Sequence, residues 1–235
     1  MTGSRVVPVS HLDLRFVPRP WAFAEERSAE IDAHFATLKR DKPALFNGRV
    51  MMLHTFDLAG DTIRGEAFET DYAAMTAWHR WDQPDKSVVN FFGLAALQSS
   101  DGAYLMAVMG AHTANAGQVY FPTGTPDRDD LFGDVVDLDR SVLRELEEET
   151  GLTAGDVEVV PGWHAVFVKQ RVALMKGLRL DAPAADMRDR IRHFIARETE
   201  PELADIRIVR GPADLDPRMP PFVTAFLADR WQPRA

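Results

Sequence analysis

Nine consecutive residues, Arg144-Glu145-Leu146-Glu147-Glu148-Glu149-Thr150-Gly151-Leu152, gather carboxylates in a pattern that can do chemistry. On a helix, at ~100° per residue, Val142, Leu143 and Leu146 form an apolar stripe. Glu145, Glu148 and Glu149 then share an adjoining face, because residues three and four apart are surface neighbours. Glu147 points elsewhere, towards solvent. Arg144 lies one turn before Glu148 and can hold its carboxylate. Gly151 suits the left-handed position just past a helix C-terminus. Three carboxylates on one ledge repel each other, and near a helix C-terminus they also face the wrong end of the dipole. Local stability does not favour that arrangement. A hard divalent cation repairs it, since Mg²⁺ takes oxygen ligands and keeps waters and substrate phosphates in its shell. The plain alternative is a solvated acidic face.

The run Arg-Glu-aliphatic-any-Glu-Glu-any-Gly-aliphatic over residues 144–152 resembles the C-terminal half of the Nudix box, with each specified position matched. The resemblance implies an enzyme that cleaves a diphosphate bond in a nucleoside diphosphate linked to another moiety, with Mg²⁺ or Mn²⁺ as cofactor. It implies that Glu145, Glu148 and Glu149 hold the metal and that Arg144 positions Glu148. The N-terminal half of the box departs from the pattern. The family places a Glu eight residues before the Arg and a Gly six before that, where this chain has Val136 and Asp130. Gly124, in Phe121-Pro122-Thr123-Gly124-Thr125-Pro126, is the nearest candidate for the glycine, and its carbonyl is a candidate metal ligand. Asp134 or Asp137 is the candidate replacement for the missing carboxylate. The family also supplies a further Glu, as ligand or general base, from a loop before the last strand. Glu200 and Glu202 lie loosely at that place, with Glu198 beside them; a solvated acidic loop is the plain alternative. The layout before the box is similar to that of Nudix proteins that hydrolyse UDP-sugars.

Other residues carry suitable groups. His112 and Asn115, in a loop ending at Gly117, can hydrogen-bond phosphate or sugar, although turn formation is the commoner role of such residues. Lys169 and Arg171 can touch phosphate or simply decorate a solvated hairpin tip. Trp78, His79, Arg80 and Trp81 are either two core tryptophans with two solvated neighbours or the rim of a substrate pocket.

The elements that must position these groups follow from periodicity and turn residues. Residues 1–22, with three prolines, read as irregular. Residues 23–39 read as a helix, 49–56 and 62–69 as a hairpin, and 72–81 as a short helix. Residues 83–86 read as a linker. Strands are expected at 91–98 and 103–109 around Ser100-Asp101-Gly102, and at 119–122. The carboxylate helix is expected to start near Asp139, capped by Asp139 or Ser141. Strands at 157–168 and 172–180, a helix at 185–196, a strand at 205–209 and a helix at 221–231 complete the chain. The expected class is α/β. The resemblance implies an α/β/α sandwich around a mixed sheet, here in residues 88–235, with an N-terminal α+β extension in residues 1–87.

Composition excludes several classes. The 235 residues are 46% apolar, as in globular proteins, and no run of ~18 apolar residues marks a membrane span. Residues 1–11 lack the apolar core of a secretory signal. Cysteine is absent, which rules out disulfides and thiolate metal sites and allows a cytoplasmic setting. The net charge of -9 argues against a nucleic acid polymer as partner, but not against a small phosphorylated substrate beside a metal. A homodimer is what the family resemblance implies. Two rivals stand beside the hydrolase: a binding or regulatory module on the same fold, and an isoprenoid-diphosphate isomerase, whose usual Cys is missing here.

Overall fold

The computed structural model describes residues 4–232; the first three of the residues read as irregular, and the last three of the chain, lie outside that range. The chain opens with β1 (Arg5–Val9) and β2 (His11–Phe16), then α1 (Ala22–Glu26) and α2 (Ser28–Asp41). β3 (Arg49–Ala59), β4 (Thr62–Asp71) and α3 (Tyr72–Arg80) follow. Next come β5 (Asn90–Gln98), β6 (Tyr104–Met109), β7 (Val119–Tyr120) and β8 (Thr123–Gly124). β9 (Leu131–Phe132) and β10 (Val135–Val136) lead into α4 (Leu138–Thr150). The remainder is β11 (Glu158–Val159), β12 (Trp163–Val168), β13 (Arg171–Arg179), α5 (Ala184–Ile195), β14 (Leu203–Val209) and α6 (Pro221–Trp231).

Two mixed sheets result. The larger runs β1-β12-β13-β5-β6-β14, with β13 and β5 parallel. The smaller runs β3-β4-β2-β10-β9, with β2 and β4 parallel. Neighbouring residues of β5 point to opposite faces of the large sheet and show what covers each. A Cβ on Gly93 would meet Val142 of α4 at 2.5 Å. The ring of Phe92 packs against Phe222 of α6 at 5.3 Å. Thus α4 lies on one face and α6 on the other, which is the helix–sheet–helix sandwich expected.

The small sheet is buried on both faces along the first half of β3, and alternation there shows it. Met51 and Leu53 join the main core, whereas Val50 and Met52 join a second cluster with Phe35, Phe68 and Trp78. That second cluster seats α1, α2 and α3. The expected division at residues 87 and 88 is crossed in two places: β1 is the edge strand of the large sheet, and Leu14, Met51 and Ile63 belong to the main core.

Several expectations are corrected. The stretch read as irregular holds β1 and β2. Pro8 fits because β1 is an edge strand, where a missing N–H costs no ladder bond. The first helix is two helices broken at Arg27, whose guanidinium stacks 4.1 Å from the Trp81 ring. The linker at 83–86 is held in place: the Trp21 indole donates to the Asp85 carboxylate at 2.8 Å and the Trp78 indole to its carbonyl at 2.9 Å.

The hairpin around Ser100-Asp101-Gly102 forms, but its strands pair only at Gln98 and Tyr104. Beyond that point they separate and admit the 119–124 segment. β7 pairs with β6, and β8 with β5 through Gly93–Gly124. This wedge sets Gly124 opposite α4.

Candidate active site

The carboxylate helix begins one residue before the place expected. Asp137, and neither Asp139 nor Ser141, is its cap, accepting from the Arg140 N–H at 3.1 Å. Val142 and Leu146 are buried as the stripe required. Gly151 ends the helix at φ 69°, its N–H donating to the Glu147 carbonyl at 2.9 Å. Any Cβ there would strike the Phe194 ring at 2.4 Å, so glycine is needed twice over.

The three site carboxylates differ in environment. Glu149 is 6% exposed, and neither of its oxygens has a hydrogen-bond partner. Burial raises its pKa well above the ordinary value, and the charges of Glu145 and Glu202 push the same way; the nearby Thr123 amide offsets a part. Glu145 lies against β8: a Cβ on Gly124 would fall 2.1 Å from its Oε1. Burial raises the Glu145 pKa to about 7 against the opposing charge of Arg144. Glu148 is more exposed and accepts from Arg144 at 3.0 Å.

Arg144 gathers this group. Besides Glu148, its guanidinium meets Glu145 at 2.9 Å and donates to Asp130 at 3.1 Å. Burial works against its charge, but Glu145, Asp130 and Glu148 more than offset that and raise its pKa. Asp130, and neither Asp134 nor Asp137, is the loop carboxylate that meets Arg144. The expected substitutes are used elsewhere: Asp134 pairs with Arg15 at 3.2 Å, and Asp137 caps the helix. Asp130 closes a tight turn at residues 128–130, where it also accepts from the Asp127 N–H. Its signal in the sequence was only its place inside an acidic loop.

Among the loop carboxylates, Glu202 precedes β14, and its charge acts on both Glu145 and Glu149. Glu200 is exposed and is not among the main charges acting on either. Asn115 donates to the Tyr120 hydroxyl at 3.1 Å. His112 is exposed beside Gly110 and does not line the cavity described next.

A cavity of about 850 Å³ extends from Tyr120, Thr123 and Gly124 to the N-terminal helices. α2 and α3 roof it through His34, Tyr72 and Arg80, with Lys42 just past the end of α2, and Phe92 and Arg171 of the large sheet contribute to its wall. Trp78 is wholly buried core, while His79 and Arg80 do line the cavity. Lys169 is a surface residue paired with Asp82 at 2.7 Å, but Arg171 is no solvated tip: it faces the cavity. The expectation of irregular structure and a linker around these helices hid the roof.

A Nudix hydrolase from M. smegmatis is similar at 17% identity, covering 60% of this chain and 82% of that one, with a TM-score of 0.39. A putative Nudix hydrolase family member from Chromobacterium violaceum also has 17% identity, covering 60% and 77%, with a TM-score of 0.37. A MutT protein from Methanosarcina mazei Go1 has 18% identity, covering 61% and 96%, with a TM-score of 0.34. No protein-family model and no curated protein sequence matches the chain. No helix among the described residues is long and apolar enough to cross a membrane.

Proposed function

We propose that this chain is a Nudix-type pyrophosphohydrolase, dependent on Mg²⁺ or Mn²⁺, that cleaves the diphosphate of a nucleoside diphosphate linked to another moiety. A nucleotide sugar is the candidate substrate. The observation that carries the reading is Glu149, a buried carboxylate with no partner, beside a second carboxylate pressed onto a glycine. A buried anion without a partner is costly. An all-oxygen set suits a hard divalent cation. Glu145, Glu148, Glu149 and the Gly124 carbonyl are the groups that would hold it. When bound, such a metal neutralises diphosphate charge and lowers the pKa of a water.

The chain's own residues supply positioning and proton handling. Arg144 fixes Glu145 and Glu148 from one side, and Asp130 fixes Arg144. Gly124 leaves the space that Glu145 occupies. The general base is either a helix carboxylate or Glu202, which the field on Glu145 and Glu149 favours over Glu200.

A binding or regulatory module is the second reading. Among the described residues no three His, Asp or Glu side chains already converge as a ligand set, and Glu145 and Glu148 both turn to Arg144. Product release from a panel of nucleoside diphosphate derivatives, with Mg²⁺ and with Mn²⁺, decides between them. The hydrolase reading expects one class to be cleaved and the Glu148→Gln variant to lose about two orders of magnitude or more. No cleavage with either metal, together with retained binding, overturns it in favour of the module.

A further inference from the structure

We propose that the roofed cavity holds a second oxyanion, a phosphate or carboxylate carried by the substrate beyond the diphosphate, with Arg171 as its partner. That the anion belongs to a diphosphate substrate rests on the hydrolase reading; the oxyanion site itself does not.

Arg171 is the first residue of β13 and lies opposite Asn90 of β5, and both line the cavity. Its Nε is inaccessible to solvent and has no hydrogen-bond partner. Burial lowers its pKa, and no carboxylate counters that. Of the other cations on that wall or nearby, Arg80 is exposed to solvent and three have protein partners. Lys42 donates to the carbonyls of Thr113 and Ala114, Arg218 pairs with Asp216, and Lys169 with Asp82. A largely buried guanidinium with no counter-charge is costly. A protein keeps one where a ligand supplies the missing anion.

The charge of the lining supports this. The chain as a whole carries -9. Yet its cavity is lined by Lys42, Arg80, Arg171 and Arg218 against a single carboxylate, Asp41. Such a local reversal raises the concentration of an anionic ligand. Arginine, with a planar fork, is also suited to gripping a phosphate or carboxylate.

The site is separate from the carboxylates of α4. Gly124 pairs with Gly93, and Arg171 with Asn90. Their backbones are thus about 10 Å apart along the strands and about 10 Å across two strand spacings. A diphosphate held at Glu145 and Glu149 leaves Arg171 to another group. Tyr72, Phe92 and Phe222 supply aromatic wall between the two ends.

The test uses the full chain in EDTA, with inorganic phosphate, pyrophosphate and glutarate as probes, read by calorimetric titration and thermal melting. Wild type and Glu148→Gln are expected to bind an oxyanion and to melt higher with it. Arg171→Met is expected to bind at least about tenfold more weakly, a loss of roughly 1.4 kcal/mol. Without probe, that variant is expected to melt no lower than wild type, since an unpaired charge has gone. If it fails to fold, Arg171→Lys carries the test, because it keeps the charge, loses the fork and should bind several-fold more weakly. Binding of the two phosphates alone assigns a phosphoryl group, and binding of glutarate alone a carboxylate. No binding of any probe at millimolar concentration, or equal binding by the Arg171 variants, overturns the proposal. Arg171-dependent binding without turnover of any nucleotide would leave the oxyanion site standing and remove the hydrolase reading only.

Discussion

The guanidinium of Arg144 donates to the carboxylate of Asp130, 14 positions earlier in the chain, across 3.1 Å. Asp130 is only 1% exposed, so this ion pair fastens the carboxylate helix to the loop before it. The Asp137 N–H also donates to the Asp130 carbonyl at 2.8 Å. Breaking a fully buried pair costs ~3–5 kcal/mol. Arg144 retains 28% exposure and two other carboxylates, so we expect Asp130→Ala to cost roughly 2–3 kcal/mol, below that range. Urea unfolding of Asp130→Ala, Arg144→Gln and the double variant checks it. Strict additivity of the two single effects would show that the pair contributes nothing.

Glu149 and Glu145 should destabilise the protein while they prepare it for a cation. Their folded pKa values are raised, so the native state holds protons more tightly than the unfolded chain. Stability from these groups is therefore greatest below the ordinary carboxylate range and is lost as pH rises, through about 7 for Glu145. We expect Glu149→Gln to raise the metal-free Tm at pH 7.5 by about 2 °C or more, and to abolish most of the rise that Mg²⁺ gives wild type. A lower metal-free Tm in the variant would contradict the reading of Glu149 as an uncompensated charge.

How much of this was legible beforehand depends on the range of the signal. The helix face of Glu145, Glu148 and Glu149 and the closing Gly151 were readable because spacing of three and four residues is local. The hairpin of β3 and β4 was readable from Gly60-Asp61 for the same reason. β1 was not. Its partner β12 lies more than 150 residues away, and Pro8 reads locally as a breaker. Asp130 was hidden because its role depends on how the chain turns at residues 128–130, which no periodicity reports. Arg171 looked like a loop charge because the cavity it lines is assembled from segments far apart in the sequence.

The two loop glutamates should separate in kinetics. Glu202 is among the main charges acting on the α4 carboxylates, and Glu200 is not. We expect Glu202→Gln to lower kcat by about 10²-fold or more, the usual scale for a general base, and Glu200→Gln to change it less than about threefold. Both are read with the substrate identified by the panel. Equal losses, or a loss confined to Glu200→Gln, would move the assignment.

His79 should act as a pH-dependent weakness. Burial first, and then the charge of Arg171, hold its pKa at about 4 in place of 6.5. The unfolded chain takes up that proton first. The stability this residue allows is complete above about 6.5, falls as pH drops through the window down to about 4, and levels off below it. The full loss is ~3 kcal/mol at most. Urea unfolding at pH 7 and pH 4.5 should therefore show a smaller loss in His79→Gln than in wild type. Equal losses would remove His79 from the account.

The strand that opens the described chain, β1, is completed only when β12 lies beside it, with Val7 opposite Ala165. As the polypeptide leaves the ribosome, that edge waits through the making of both intervening sheets' strands and the carboxylate helix. The delay costs little at equilibrium, since each doubling of a closed loop adds only ~0.6 kcal/mol. Its effect is on timing: contacts between distant residues form slowly. The β1–β12 pairing thus closes one side of the large sheet with residues that are made first but can pair only after the acidic helix has been made.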